Sequence, residues 1–162
     1  MSDLIQGAKQ EFEQSRRRML GLLADTPDDK LNWSPSPSAR TPLALVAHSA
    51  LSIRHVTEML KGRPFGTSTT AVADKGFREE EQAFTSRDEV VALFEKNAAE
   101  YLEWIDALPE EGLDAPITFP FGLGVGTVRH GITAPARHTE SHIAQLEYIQ
   151  TIYGDHDWHI GV

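Results

Sequence analysis

Ile5, Ala8, Phe12, Ser15, Met19 and Leu22 follow one another at alternating steps of three and four residues. That spacing holds one stripe on one face of an α-helix. It predicts a first helix from about residue 3 to about residue 24, ended by Thr26-Pro27 because proline disfavours the helical conformation in the residue before it. A second helix is expected over 42–61, with Thr41 as its cap and Pro42 at the first helical position, where a missing N–H costs nothing. Leu43, Val46, Ala47, Ala50, Ile53, Val56 and Leu60 form its apolar side, and Gly62 with Pro64 stops it. Ser86 followed by Glu89 is a capping box, and Val90, Val91, Phe94, Ala98, Tyr101, Leu102 and Ile105 extend it as a third helix over 87–107. Ile132, Ile143, Leu146, Ile149 and Ile152 mark a fourth over 127–153, with Thr127 as cap and Pro135 predicting a kink or a second start.

Two stretches break the pattern. Residues 62–85, containing "GTSTT", read as a long loop with a short helical piece around "REEEQAF". Residues 109–126, "PEEGLDAPITFPFGLGVG", are too rich in proline and glycine for a helix and fit a short hairpin or an ordered crossover. The "GLGVG" run is no phosphate loop, since it has neither a preceding buried strand nor a Gly-Lys-Ser/Thr ending. Four amphipathic helices without a strand series predict an all-α four-helix bundle, with long loops between helices 2 and 3 and between helices 3 and 4. A length of 162 residues fits a single domain, 1–162.

Composition narrows the function. Fifteen Lys+Arg against 24 Asp+Glu give a formal charge of -9, which repels phosphate backbones and anionic lipid and so predicts no nucleic-acid partner. The basic run Arg16-Arg17-Arg18 lies in a helical pattern near Glu11 and Glu13 and reads as a solvated face. Cysteine is absent, so any metal must be held by nitrogen or oxygen. No apolar run approaches 18 residues and no secretion signal opens the chain, which predicts no membrane association and a cytoplasmic location.

Seven histidines carry the remaining signal. In "RHTESHIAQ", His138 and His142 are four residues apart, so they project from one helix face about 6 Å apart along the axis and can chelate one ion. Such a pair alone is more often surface or structural than metal-binding. His48 changes the balance: within "LALVAHSAL" an imidazole must be partly buried and needs partners for its ring nitrogens. Inward side chains from facing helices are how bundles build metal sites, and His48, His138 and His142 make a three-nitrogen set. Three neutral imidazoles suit zinc or nickel and leave a coordination position open for water or substrate. His55 lies about 10 Å along the helix from His48, too far to share the ion. His130 falls outside the set, and His156 and His159 belong to a tail expected to be mobile or merely packed.

These residues resemble a known family. "LNWSPSPSARTPLALVAHSA" ahead of and within helix two, then "GTVRHGITAPARHTESHIAQ", is similar to the DinB-like/YfiT-like superfamily of metal-dependent enzymes. The likeness spans most of the chain. It implies an up-down-down-up bundle, a nickel- or zinc-type ion on the three histidines, and, as is frequent among members, a homodimer. It also implies that some members transfer or isomerise thiol adducts with low-molecular-weight thiols such as bacillithiol or mycothiol. Two departures stand out: Ser141 precedes His142 where many members pair histidines, and Pro135 interrupts the approach to the last helix.

A tri-histidine ion keeps its full charge, so it lowers the pKa of a bound thiol or water and polarises a small-molecule substrate. Delivery of a thiolate to an electrophile and hydrolysis both follow, and the resemblance favours the first. The competing class is a non-catalytic helical dimerisation or binding module with a structural metal or none. Glu140 points about 200° away from both late ligands and is a poor general base. Gln145, three residues after His142, can approach the ligand face, against an even chance of being plain helix surface. Gln145 and Arg54 are the candidates for contact with cofactor or substrate, and Arg129 is a further candidate for an anionic substrate.

Overall fold

A computed structural model describes residues 2–66 and 69–160. The helix α1 spans Asp3–Asp25, α2 Pro42–Leu60, α3 Thr70–Glu81, α4 Arg87–Asp106, α5 Val128–Gly131 and α6 Ala134–Ile152. A two-stranded antiparallel hairpin, β1 Pro116–Thr118 and β2 Val125–Thr127, precedes α5. No helix among the described residues is long and apolar enough to cross a membrane.

The helix starts follow local chemistry. Thr41 caps α2 by accepting from the Ala44 N–H at 3.1 Å, and Pro42 occupies its first turn. Ser86 accepts from the Glu89 N–H at 3.3 Å while the Glu89 carboxylate accepts from the Ser86 N–H at 3.0 Å, completing the expected box at α4.

The expected fourth helix is two helices. Pro135 cannot continue a helix from α5, but it fits the first turn of α6. The chain between 62 and 85 holds a longer helix than "REEEQAF" announces. Gly76 in its middle lowers helix propensity, which hides α3, yet Ala73, Phe77 and Glu81 recur every fourth residue. The hairpin explains the glycine run: Gly122 and Gly124 adopt φ of +74° and +91° at its tip.

Helices α1, α2, α4 and α6 form the bundle. The α2 helix packs on α4 and α6, and α1 packs on the same two from the other side, so α1 and α2 sit largely across the diagonal. The core is filled by Phe12, Met19, Leu22, Val46, Phe94, Tyr101, Ile105, Ile132 and Leu146 among others, all fully buried. Phe12 meets Tyr101 edge to face at 4.7 Å between centroids. The Tyr101 hydroxyl donates to the Ile132 carbonyl at 2.7 Å, and Asn97 donates to the Ala50 carbonyl at 2.8 Å. The Tyr101 hydroxyl thus finds its partner at the junction after α5, and the Asn97 amide finds its own on a carbonyl within α2.

Phe12→Ala is expected to lower unfolding free energy by about 3–5 kcal/mol through the cavity it leaves, and Tyr101→Phe by about 1–2 kcal/mol through the orphaned carbonyl. Denaturant titration checks both, and the larger loss must belong to Phe12.

Candidate metal centre

Four parts of the chain meet at one point. The α2 helix supplies His48 from its middle, and α6 supplies His138 and His142 from one face. The last residue of α3 is Glu81, and Arg40 comes from the connection ahead of α2. In that connection the Ser34 hydroxyl lies 2.6 Å from the Ser36 carbonyl and 2.9 Å from the Ala39 carbonyl, which orders the stretch and presents Arg40.

The structure brings together the three histidines singled out by the sequence. One ligand nitrogen from each lies within 4.8 Å of the others, and the Nε2 atoms of His138 and His142 are 3.0 Å apart. The His48 ring stands 5.4 Å from that of His138 and 4.7 Å from that of His142 between centroids.

The surroundings fix which nitrogens carry protons. The Nδ1 of His48 lies 2.9 Å from the Glu81 carboxylate, which only accepts, so Nδ1 bears a hydrogen and Nε2 is the atom left to act as a ligand. Likewise the Nδ1 of His142 donates to Gln145 Oε1 at 2.8 Å, leaving its Nε2 unprotonated toward His138. Glu81 is almost wholly buried and receives Nε of Arg40 on both oxygens, at 3.0 and 2.9 Å. Burial raises the Glu81 carboxyl, but hydrogen bonds from His48 and Arg40 more than offset this and hold it below the ordinary carboxylate value.

Burial first, then the neighbouring imidazoles and Arg40, lower His138 to about 3. Burial likewise lowers His142 to about 4, against the opposing hydrogen bond to Gln145. Both rings are therefore neutral at pH 7, the form that binds a metal. Three imidazoles with ligand nitrogens within 4.8 Å of one another, two of them held at Nδ1 by Glu81 and Gln145, are a donor set that a divalent cation fits. Nitrogen-only ligation suits a borderline ion of the zinc or nickel kind.

A cavity of about 450 Å³ opens on this cluster, with His48 and His138 in its wall. Phe77 of α3 meets the His48 ring edge to face at 4.7 Å. The one carboxylate among the described residues of the wall, Asp74, is held by Arg78 at 2.7 Å and Arg40 at 2.8 Å, which places it below its ordinary pKa.

Other candidates lie elsewhere. Arg54 pairs with Glu80 at 2.7 Å and joins α2 to α3, and Arg129 pairs with Asp114 at 3.0 Å. Glu140 is exposed. His55 sits between Phe65 and Phe77, at 5.3 and 5.1 Å, and its pKa is lowered by burial and then by Arg54. His130 accepts from the Thr127 N–H at 3.2 Å and so closes the start of α5. His159 packs the tail onto α1 through Asp25 at 2.9 Å. Glu81 and Arg40 were not among the residues singled out in the sequence. Glu81 is one of three consecutive glutamates, and only its spacing from Ala73 and Phe77 marks it as the inward one.

The depressed histidines set an acid limit. Below about pH 6.5 the unfolded chain takes up protons that the folded rings refuse until about pH 3–4. Stability of the chelator-treated protein is thus expected to be full above that point and to fall by about 1.4 kcal/mol per pH unit for each ring as pH drops through the window. His138→Gln/His142→Gln should flatten this dependence in a melting series from pH 7 to pH 4.5.

Comparison with known proteins agrees with this architecture. No curated protein matches the chain significantly. Among solved structures, YfiT from Bacillus subtilis, described as a probable metal-dependent hydrolase with an unusual four-helix bundle topology, superposes with a TM-score of 0.74. The two are 14% identical over 95% of this chain and 90% of that one. A second, described as the sibling lethal factor precursor DfsB, gives a TM-score of 0.69 at 17% identity over 95% of this chain and 99% of its own. At these identities the likeness is one of fold. The sequence profile of the DinB superfamily matches residues 11–146, most of the chain, and the protein belongs to that superfamily.

Proposed function

We propose that the protein is a metal-dependent enzyme whose divalent ion, zinc or nickel, is held by His48, His138 and His142, and that it transfers a low-molecular-weight thiol to an electrophile in the cytoplasm. The observation that carries this reading is the convergence of three imidazoles, two of which, His48 and His138, stand in the wall of a cavity of about 450 Å³. A closed structural site would saturate its ligands from protein, whereas three histidines beside open space leave room for a reactant.

When bound, a divalent ion there supplies a positive charge that lowers the pKa of a thiol or a water and polarises an electrophile. The chain's own residues do the rest. Glu81 keeps His48 in the tautomer that offers Nε2, and Gln145 does the same for His142. The apolar wall excludes water from the reacting atoms. Asp74 is occupied by two arginines and is a poor proton acceptor. A thiol suits this setting, because beside a cation its pKa would fall far enough for it to lose its proton to bulk solvent before it enters the apolar cavity, with no base needed from the protein. Hydrolysis is the second reading, favoured by the description of YfiT, whose fold this chain shares. The family resemblance also brings a homodimer into the reading, which light scattering reads directly.

Metal per chain, measured in untagged protein, is expected to be about one in the native form and near zero in His48→Ala, His138→Ala and His142→Ala. A variant that keeps its metal leaves the set. Glu81→Gln should weaken metal affinity about 10–100-fold by freeing His48 to rotate.

With cobalt in place of the native ion, a candidate thiol such as bacillithiol or mycothiol should change the visible spectrum by adding sulfur to the site. Silence with every thiol, together with turnover of a test ester, selects hydrolysis.

A further inference from the structure

The cavity in front of the histidines is chemically one-sided. Val56 and Met59 from α2, Phe77 from α3, Phe65 from the loop between them, and Phe119 and Phe121 from the hairpin face it. Ser52, Thr70 and Asp74 are the polar side chains beyond the two rings, and no lysine or arginine is among the described lining residues. The oxygens of Asp74 are already taken by Arg40 and Arg78. A charged or sugar-like body entering here would lose its hydration and find few partners, in a protein of formal charge -9.

A second observation points to the same wall. Phe121, a bulky residue, holds a left-handed φ of 59°, although glycine follows it directly. Strain of this kind persists only where something else requires it. Here the Phe121 ring stands 5.9 Å from that of Phe65, and both line the cavity.

We propose that the centre acts on an uncharged substrate whose aromatic or branched apolar body seats against Phe77, Phe119 and Phe121 while one polar atom faces the three imidazoles. This rests on the reading of the histidine cluster as the reactive end. Phe121 is then a specificity-determining residue, and the hairpin is a wall of the site as well as a connection. Within the transfer reading, the electrophile occupies this cavity and the polar body of the thiol lies outside it.

The test titrates zinc-loaded, full-length protein with N-phenylnaphthylamine, which is uncharged, and with the matching anilinonaphthalenesulfonate, following fluorescence. The uncharged probe is expected to bind at one equivalent and about tenfold more tightly than the anion. Phe121→Asn, which tolerates the left-handed backbone, should keep or raise the melting temperature and weaken the uncharged probe about fivefold. Equal or tighter binding of the sulfonate overturns the proposal, as does a Phe121→Asn variant with unchanged probe affinity. Zinc content of the same samples separates the two ideas. Zinc without uncharged-probe binding removes the substrate class and leaves the metal centre, whereas probe binding without zinc removes the reactive end on which the proposal rests.

Discussion

An imidazole placed among apolar side chains must give its N–H a partner, and for His48 that partner is Glu81. Everything at the centre depends on this bond. A buried carboxylate is itself costly, and Arg40 offsets that cost by binding both of its oxygens. Asp74 and Arg78 then extend the chain of opposite charges outward to solvent. The network's inner end is a ring that stands against two others, and its outer end is ordinary surface.

This arrangement divides labour within the fold. Four helices bury the core and hold His48 opposite His138 and His142. The pieces that do not belong to the bundle shape what surrounds them: α3 brings Glu81 to one side of His48 and Phe77 to another, and the hairpin adds Phe119 and Phe121. The rigid elements position the donors, and the shorter, more exposed ones decide what can approach.

How much of this could be read from the chain follows from where the signal resides. The bundle helices α1, α2 and α4 were legible because stripes at steps of three and four recur over some twenty residues and because Thr41 and Ser86 are strong caps. The histidine pair was legible because i and i+4 share a helix face whatever the tertiary structure. The α3 helix was partly hidden by Gly76, and the break before α6 was ambiguous because a proline is compatible with both a kink and a start. Arg40 was invisible for another reason, and Glu81 was marked only by its steps of four from Ala73 and Phe77. Nothing else in the local sequence distinguishes a buried charge from an exposed one when its partner lies about forty residues away.

The diagonal placement of α1 and α2 joins topology to chemistry. The link between them must traverse one end of the bundle, and its final residue before the cap of α2 is Arg40. Loops of most proteins absorb gains and losses of single residues with little effect. Here the span is measured out at both ends, and a deletion would drag the guanidinium by up to about 3.5 Å, more than a hydrogen bond can stretch. The length of a surface crossover is therefore under the same constraint as the ligands themselves.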